Sequence, residues 1–196
     1  MNEYLKTGRT GQKEKTREKI LRAAHQLQQN KGGFSLEKVA QLAGISRATI
    51  YRYYSNKDVL SAEAVLHMRT LTPDQILADL NDVPLEEAFM EVQRYYNELA
   101  TNNERPFRRY LSVLLNEDNQ VSMRGARRVR TLSQVLKDRP TAISQGTQEK
   151  LVYMATLMMG IEALIVTRDV CQLDAKSSDE VLRWGMKTLL KGVYCE

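Results

Sequence analysis

The side chains that most often carry catalysis or bind metals are few in this chain and are not grouped. There are two histidines, His25 and His67, and two cysteines, Cys171 and Cys195, among 196 residues. None has a partner at metal-site spacing, and two cysteines do not make a disulfide framework. No phosphate-loop or nucleophile motif is present. We therefore expect no catalytic residue, no metal and no cofactor, and a reducing compartment, the cytoplasm.

The positive charge is concentrated in the first third of the chain. Residues 1–57 contain twelve Lys and Arg and four acids, a net charge of +8, whereas the remaining residues have a net charge of −3. Such a local excess of cations is typical of a segment that meets a polyanion. A solubilising basic tail is the alternative, and the residue pattern within the segment argues against it.

A helix-turn-helix pattern lies inside the basic segment, at residues 36–55. Helical spacing predicts two short helices, Leu36–Ala43 and Arg47–Tyr54, joined by a turn at Gly44. A glycine suits that turn because the backbone needs a positive φ there. Small and apolar residues that could lock the two helices together recur through the window: Val39, Ala40, Ala43, Ile45, Ile50 and Tyr53.

The run FSLEKVAQLAGISRATIYRYYSNKDVL, Phe34–Leu60, resembles the DNA-binding region of the TetR family of bacterial transcriptional regulators (TetR/AcrR type). The resemblance is carried by four stretches: Ala43-Gly44-Ile45-Ser46, Thr49-Ile50-Tyr51, Tyr53-Tyr54 and Lys57. Tyr54 departs from the pattern, since Phe is commoner there. The motif covers about residues 16–60, and beyond it the likeness is one of architecture.

The resemblance implies a set of DNA contacts around the second short helix. Ser46 would cap that helix and bind a phosphate, and Arg47 could reach guanine in the major groove. Lys57 would hold a phosphate at the start of the next helix. The full candidate set is Thr16, Arg17, Ser35, Ser46, Arg47, Thr49, Tyr51, Arg52 and Lys57.

The whole chain is predicted to be all-α, with about nine helices and no strand. We expect a three-helix DNA-binding domain in residues 1–60, followed by a helical effector-binding and dimerisation domain in residues 61–196. The glycine pair Gly32-Gly33 is predicted to end the first helix. The predicted helices span about residues 16–30, 36–43, 47–54, 57–71, 84–97, 107–115, 121–137, 148–170 and 178–194.

The longest apolar stretch, Leu151–Thr167, is predicted to be a buried helix. It is too short to span a membrane and contains Glu162, so we expect no membrane association. One helix-turn-helix reads few bases, and such proteins usually dimerise on palindromes. The resemblance implies pairing of the last two helices of each subunit; an intramolecular core is the alternative. The candidate dimer residues are Leu157, Gly160, Ile161, Leu164, Trp184 and Leu189.

The resemblance also implies a pocket for a small-molecule effector, enclosed by helices between residues 73 and 137. Methionine and tyrosine suit adaptable apolar sites, although such residues at helical spacing more often belong to the core. The candidate lining residues are Met68, Phe89, Tyr95, Tyr96, Tyr110, Leu114, Met123, Met154 and Met158. A basic run could receive an anionic effector or be a solvated face: Arg124, Arg127, Arg128 and Arg130.

The function expected from the sequence is a homodimeric repressor that binds a palindromic operator in double-stranded DNA and is released by a small molecule. Two alternatives stay open. The first is a helix-turn-helix regulator without a small-molecule effector, either controlled by a protein partner or constitutive. The second is a non-specific basic architectural protein, which would bind any duplex with a steep dependence on salt.

Overall fold

The computed structural model describes residues 3–29, 34–115, 126–139 and 141–193. Within these ranges the chain is predominantly helical and contains no strand, as predicted. Its elements are α1 (Glu3–Gln29), α2 (Leu36–Ala43), α3 (Arg47–Tyr53), α4 (Lys57–Arg69), α5 (Pro73–Leu77), α6 (Leu85–Asn102), α7 (Glu104–Leu115), α8 (Arg127–Lys137), α9 (Gln145–Leu157), α10 (Ile161–Ile165), a π-helical segment (Val166–Val170) and α11 (Ala175–Val193).

The helices form two compact units. Unit 1 comprises residues 1–70 and 105–122, and unit 2 comprises residues 71–104 and 123–196. In unit 1, α4 packs along α1, and α7 contributes Leu114 to the same core. These packing units do not follow the division expected at residue 60, because α4 and α7 pack with the N-terminal helices. The assignment of separate functions to two domains stays a prediction.

Unit 1 closes around an apolar cluster beneath the helix-turn-helix. Burying an aliphatic side chain of this size contributes about 1.5–3 kcal/mol relative to leaving it exposed. The cluster therefore fixes the four N-terminal helices against one another. Its buried members include Ile20, Leu21, Ala24, Val39, Ile50 and Leu60.

The first helix begins at Glu3, well before the predicted start near Thr16. The Thr16 hydroxyl donates to the Gln12 carbonyl at 2.9 Å, which places this residue inside the helix. Lys, Glu and Gln side chains favour helix, and they continue the element upstream of the predicted start. Thr16 and Arg17 therefore do not open the helix, which corrects the expectation. The glycine pair predicted to end α1 lies outside the described residues.

The predicted helix over residues 148–170 is broken, and its two arms, α9 and α10 with the π-helical segment, are bent by 53°. The break lies at Gly160, whose φ of 83° and ψ of −166° belong to a region that side chains other than glycine rarely adopt. Apolar residues continue across the break, so the periodicity did not reveal it. No single helix in the described ranges is long and apolar enough to cross a membrane; the two arms pass only when taken together.

Polar side chains hold the backbone groups that the break sets free. The buried amide of Asn97 accepts a hydrogen bond from the Gly160 N–H at 2.8 Å. Gln93 donates to the carbonyl of Met158 at 2.9 Å, and Arg128 donates to the carbonyl of Met159 at 2.5 Å. Buried backbone groups need such partners. The break is therefore a built feature that ties α6 and α8 to the start of α10.

Gly160→Ala should lower the free energy of unfolding by about 2–3 kcal/mol, because alanine is strained in this backbone conformation. Its Cβ would also lie 2.7 Å from Nη1 of Arg128. Guanidinium denaturation followed by circular dichroism measures the change. Gly146→Ala is the matched control, since a Cβ there meets nothing within 4 Å in the first turn of α9. That variant should be unchanged or more stable by up to about 1 kcal/mol. Equal stability of both variants would contradict the account of the break.

Candidate nucleic-acid interface

Two serines and a glycine fix the geometry of the helix-turn-helix. Ser35 caps α2 by accepting a hydrogen bond from the Lys38 N–H at 3.3 Å, and Ser46 caps α3 by accepting one from the Thr49 N–H at 3.1 Å. Gly44 adopts the left-handed conformation between the helices, with φ 65° and ψ 37°. Capping satisfies donors that a helix start leaves free. The turn predicted from the sequence is thus present.

The second helix of the helix-turn-helix, α3, has one fixed side and one exposed side. Ile50 is fully buried, and the Tyr53 hydroxyl donates to the carbonyl of Lys13 on α1 at 3.2 Å. The Arg47 side chain is 76% exposed, and Tyr51 is also exposed. One side of α3 is therefore held against the core of unit 1 and α1, while its polar side faces solvent.

Three side chains form a network on the exposed side. The Tyr51 hydroxyl donates to Oε1 of Glu37 at 2.5 Å, and Nη2 of Arg47 lies 3.7 Å from the same oxygen. The Arg47 guanidinium also lies 5.7 Å from the centroid of the Tyr51 ring, within the range of a cation–π contact. The Tyr51 hydrogen bond, with hydrogen bonds from the residue's own backbone and from Ser35, lowers the pKa of Glu37 to about 2. The carboxylate is therefore charged at neutral pH.

Glu37 is not among the DNA contacts predicted from the sequence, which are cations, hydroxyls and phenols. A usable signal was present, because Glu37 is the one acid among residues 34–57. A lone acid among basic residues is a candidate ion-pair partner for one of them.

The other exposed candidates lie around this network. The hydroxyls of Ser46 and Thr49 are 2.9 Å apart. The Arg52 guanidinium lies 5.9 Å from the centroid of the Tyr53 ring, and Lys57 is exposed at the first position of α4. Their contacts with DNA stay predictions.

Arg17 is not part of the exposed side. Its guanidinium makes an ion pair with the buried carboxylate of Glu63, and its side chain is only 20% exposed. The other oxygen of Glu63 accepts a hydrogen bond from the Tyr54 hydroxyl at 3.0 Å. The cation predicted to bind phosphate instead holds α1 to α4. Thr16 is likewise bonded to the backbone of its own helix.

Sequence comparison agrees with this local geometry. Residues 20–64 match the family described as bacterial regulatory proteins, tetR family. The similarity to that family therefore covers residues 20–64 and not the rest of the chain. No curated protein and no solved structure was found to match it. The matched family indicates a DNA-binding transcriptional regulator. The match ends within α4, so it does not bear on unit 2.

The departure at Tyr54 of the TetR-type domain has a structural reason. Its hydroxyl supplies the donor that satisfies the buried Glu63 carboxylate, which Phe could not do. Burial, followed by the charge of Glu63, raises the pKa of Tyr54 well above its usual value. Tyr54 is the C-cap residue of α3, so α1, α3 and α4 meet at one buried polar cluster, Arg17–Glu63–Tyr54.

The predicted effector-binding residues are divided between the two units. Four lie in the core cluster of unit 2: Phe89, Tyr95, Tyr96 and Met158. Three lie in unit 1: Met68, Tyr110 and Leu114. Met154 is exposed on α9, and Met123 lies outside the described residues. The structure therefore brings together only part of the predicted set.

The predicted dimer residues also separate into two groups. Leu157 and Trp184 are 69% and 67% exposed. Gly160, Ile161 and Leu164 are buried within the chain, which corrects the expectation that they lie on an outer face. The bend before α10 is the reason, since it turns these residues into the core. Leu189 is partly buried against the same core.

Glu63→Gln should lower the free energy of unfolding by about 3 kcal/mol, because removing one partner leaves the buried Arg17 charge without its counter-charge. Glu18→Gln is the control. It removes an acid that pairs with Arg22 on the exposed surface of α1, where such pairs contribute about 0–1 kcal/mol. Urea unfolding measures both. Equal effects of the two substitutions would mean that the buried cluster does not fix unit 1.

Proposed function

We propose that this protein is a homodimeric repressor that binds a palindromic operator in double-stranded DNA and is released by a small-molecule effector. The observation that carries the proposal is the exposed side of α3. Arg47 and Tyr51 present a guanidinium and a phenol there, on a helix whose other side is fixed by Ile50 and Tyr53. A helix of this kind fits the major groove, where base edges can be distinguished.

Side chains beside α3 supply the phosphate contacts in this proposal. Lys57 begins α4 and is exposed, and Arg52 is exposed on α3. Ser46 caps α3, and the positive end of the helix dipole there favours an anion. Phosphate contacts position a protein on the duplex, and base contacts specify the sequence. Both kinds of group are therefore available around one helix.

Selection from random duplexes should enrich an inverted repeat whose half-sites are about one helical turn apart. Arg47→Ala should weaken binding to that repeat by about 1–3 kcal/mol, since a guanidinium contact to guanine is lost. Fluorescence anisotropy at fixed salt measures the change.

Arg94→Ala is the control for this experiment. Arg94 is exposed on α6 and paired with Glu91 and Glu98, so its loss should leave DNA binding unchanged. Retention of random duplex without any enriched sequence, lost at moderate salt, would contradict the proposal and favour the architectural alternative.

The dimer proposal is supported by exposed apolar residues on two helices of unit 2 that pack together, α9 and α11. Tyr153 and Leu157 are one turn apart on α9, and Val181 and Trp184 are one turn apart on α11. All four are exposed, and large exposed apolar patches are characteristic of interaction sites. Two copies related by a twofold axis would cover this face with the same face.

Trp184→Lys should weaken the dimer by about 2 kcal/mol or more, because a central aromatic contact would be replaced by a charge. Sedimentation equilibrium measures the dissociation constant. Leu115→Lys is the control, since Leu115 is 73% exposed at the end of α7 and belongs to unit 1. A wild-type monomer, or equal effects of both substitutions, would contradict the proposed interface.

The effector proposal is supported by two buried polar atoms in the core of unit 2 that have no hydrogen-bond partner among the described residues. Oε1 of Gln93 and Nδ2 of Asn97 are buried without a hydrogen-bond partner among the described residues. They lie one turn apart on α6, near Phe89 and Tyr96 of the predicted lining set. A buried donor and a buried acceptor favour a ligand that offers both complementary groups. Linkage then requires that effector and DNA weaken each other's binding by the same factor. For a regulator controlled by a protein partner, no small molecule would have this effect on DNA binding.

A further inference from the structure

An acidic side chain stands on the surface proposed to meet DNA. Glu37 lies in the first turn of α2, and its carboxylate contacts Tyr51 and lies close to Arg47 of α3. Duplex DNA has a high density of negative charge, so a carboxylate on this surface lowers its affinity for DNA of any sequence. The presence of Glu37 there therefore points to a role other than affinity.

The hydrogen bond with Glu37 decides what Tyr51 can offer to DNA. A phenol has one proton, and that of Tyr51 is donated to Glu37 at 2.5 Å. The phenol oxygen can then accept a hydrogen bond but cannot donate one. Phosphate oxygens, guanine O6 and thymine O4 are acceptors, whereas cytosine N4 and adenine N6 are donors. Tyr51 held in this way fits an amino group of a base and does not fit a phosphate.

The same carboxylate restrains Arg47. The guanidinium is 3.7 Å from Oε1 of Glu37 and lies over the ring of Tyr51. An unrestrained surface arginine can bind any nearby phosphate, which adds affinity without specificity. A guanidinium held between a carboxylate and a ring has fewer orientations and a partly balanced charge. Arg47 can then contact only those DNA groups that lie where the restrained guanidinium points.

We propose that Glu37 is a specificity-determining residue. By holding the proton of Tyr51 and restraining Arg47, it makes this part of the surface select an adenine or cytosine amino group in the major groove and reject phosphate. The inference rests on the proposed DNA-binding function. Glu37 lowers affinity for all duplexes and lowers it least for the matching site, which is how a repulsive group creates specificity.

The test is selection from random duplexes with the wild-type protein, Glu37→Ala and Glu37→Gln. For Glu37→Ala, the preference for adenine or cytosine at one position of each half-site should fall by about tenfold. Glu37→Gln should lose less of this preference, because its amide oxygen can still accept the Tyr51 proton. The remainder of the inverted repeat should be unchanged. Affinity for random duplex should rise, and the slope of log affinity against log salt should become steeper by about 1, as Arg47 gains a phosphate contact.

Two further variants assign the effect to the network. Tyr51→Phe should lose the preference at the same position, and Glu37→Ala combined with Tyr51→Phe should lose no more than Tyr51→Phe alone, because the two residues act as one unit. Glu98→Gln is the matched control. Like Glu37, Glu98 is an exposed acid paired with an arginine. Its carboxylate lies 3.0 Å from Arg94, but the pair is in unit 2. The selected sequence and the salt dependence should not change.

The possible outcomes separate this inference from the function on which it rests. If the wild-type protein enriches an inverted repeat and the Glu37 variants enrich the same repeat with the same salt slope, the inference is wrong and the proposed function stands. If the Glu37 variants lose all binding and unfold at lower temperature, Glu37 supports the fold and the inference is again wrong. If the wild-type protein enriches nothing, both are wrong.

Discussion

The geometry of unit 1 depends on the buried ion pair between Arg17 and Glu63. It joins α1 to α4, and Tyr54 at the end of α3 donates to the same carboxylate. Such a pair contributes little net stability, because removing two charges from water costs nearly as much as their attraction returns. What it does enforce is one arrangement, since any packing that separates the partners leaves a buried charge unbalanced. The orientation of α3 is therefore set by the hydrogen bond between Tyr54 and Glu63, while the apolar cluster around Ile20 and Ile50 supplies the stability.

The same two residue types have the opposite role on the surface. Arg47 and Glu37 are also an arginine and a glutamate in proximity, but both are exposed, and exposed pairs contribute at most about 1 kcal/mol. An exposed arginine in such a pair is still accessible to a base, whereas the buried Arg17 is not. Burial thus separates a structural cation from one available for recognition. A sequence pattern that counts cations does not make this distinction.

Features of the chain that depend on near neighbours could be predicted from the sequence. The turn at Gly44 and the helix starts at Ser35 and Ser46 follow from capping and backbone conformation within a few residues. Features that depend on distant partners could not. Arg17 reads as a surface cation until Glu63 is placed beside it, and the apolar run through Gly160 reads as one helix until Asn97 is placed against its backbone. Glu37 can be recognised from the sequence as an acid in a basic segment. Its hydrogen bond with Tyr51 could not be predicted, because it depends on how the turn places α2 beside α3.

Apolar residues close to the bend at Gly160 differ in their exposure. Ile161 and Leu164 follow the bend and are buried, whereas Leu157 precedes it and remains on the surface with Trp184 of α11. The hydrogen bonds that maintain the bend come from α6 and α8, through Gln93, Asn97 and Arg128. A ligand that bonded to Oε1 of Gln93 and Nδ2 of Asn97 would reorient these contacts, because the other atom of each amide bonds to the backbone at the bend. The bend would then respond to the ligand, and with it the apolar face proposed to hold the dimer. Effector binding and dimer geometry would in this way depend on one set of buried hydrogen bonds.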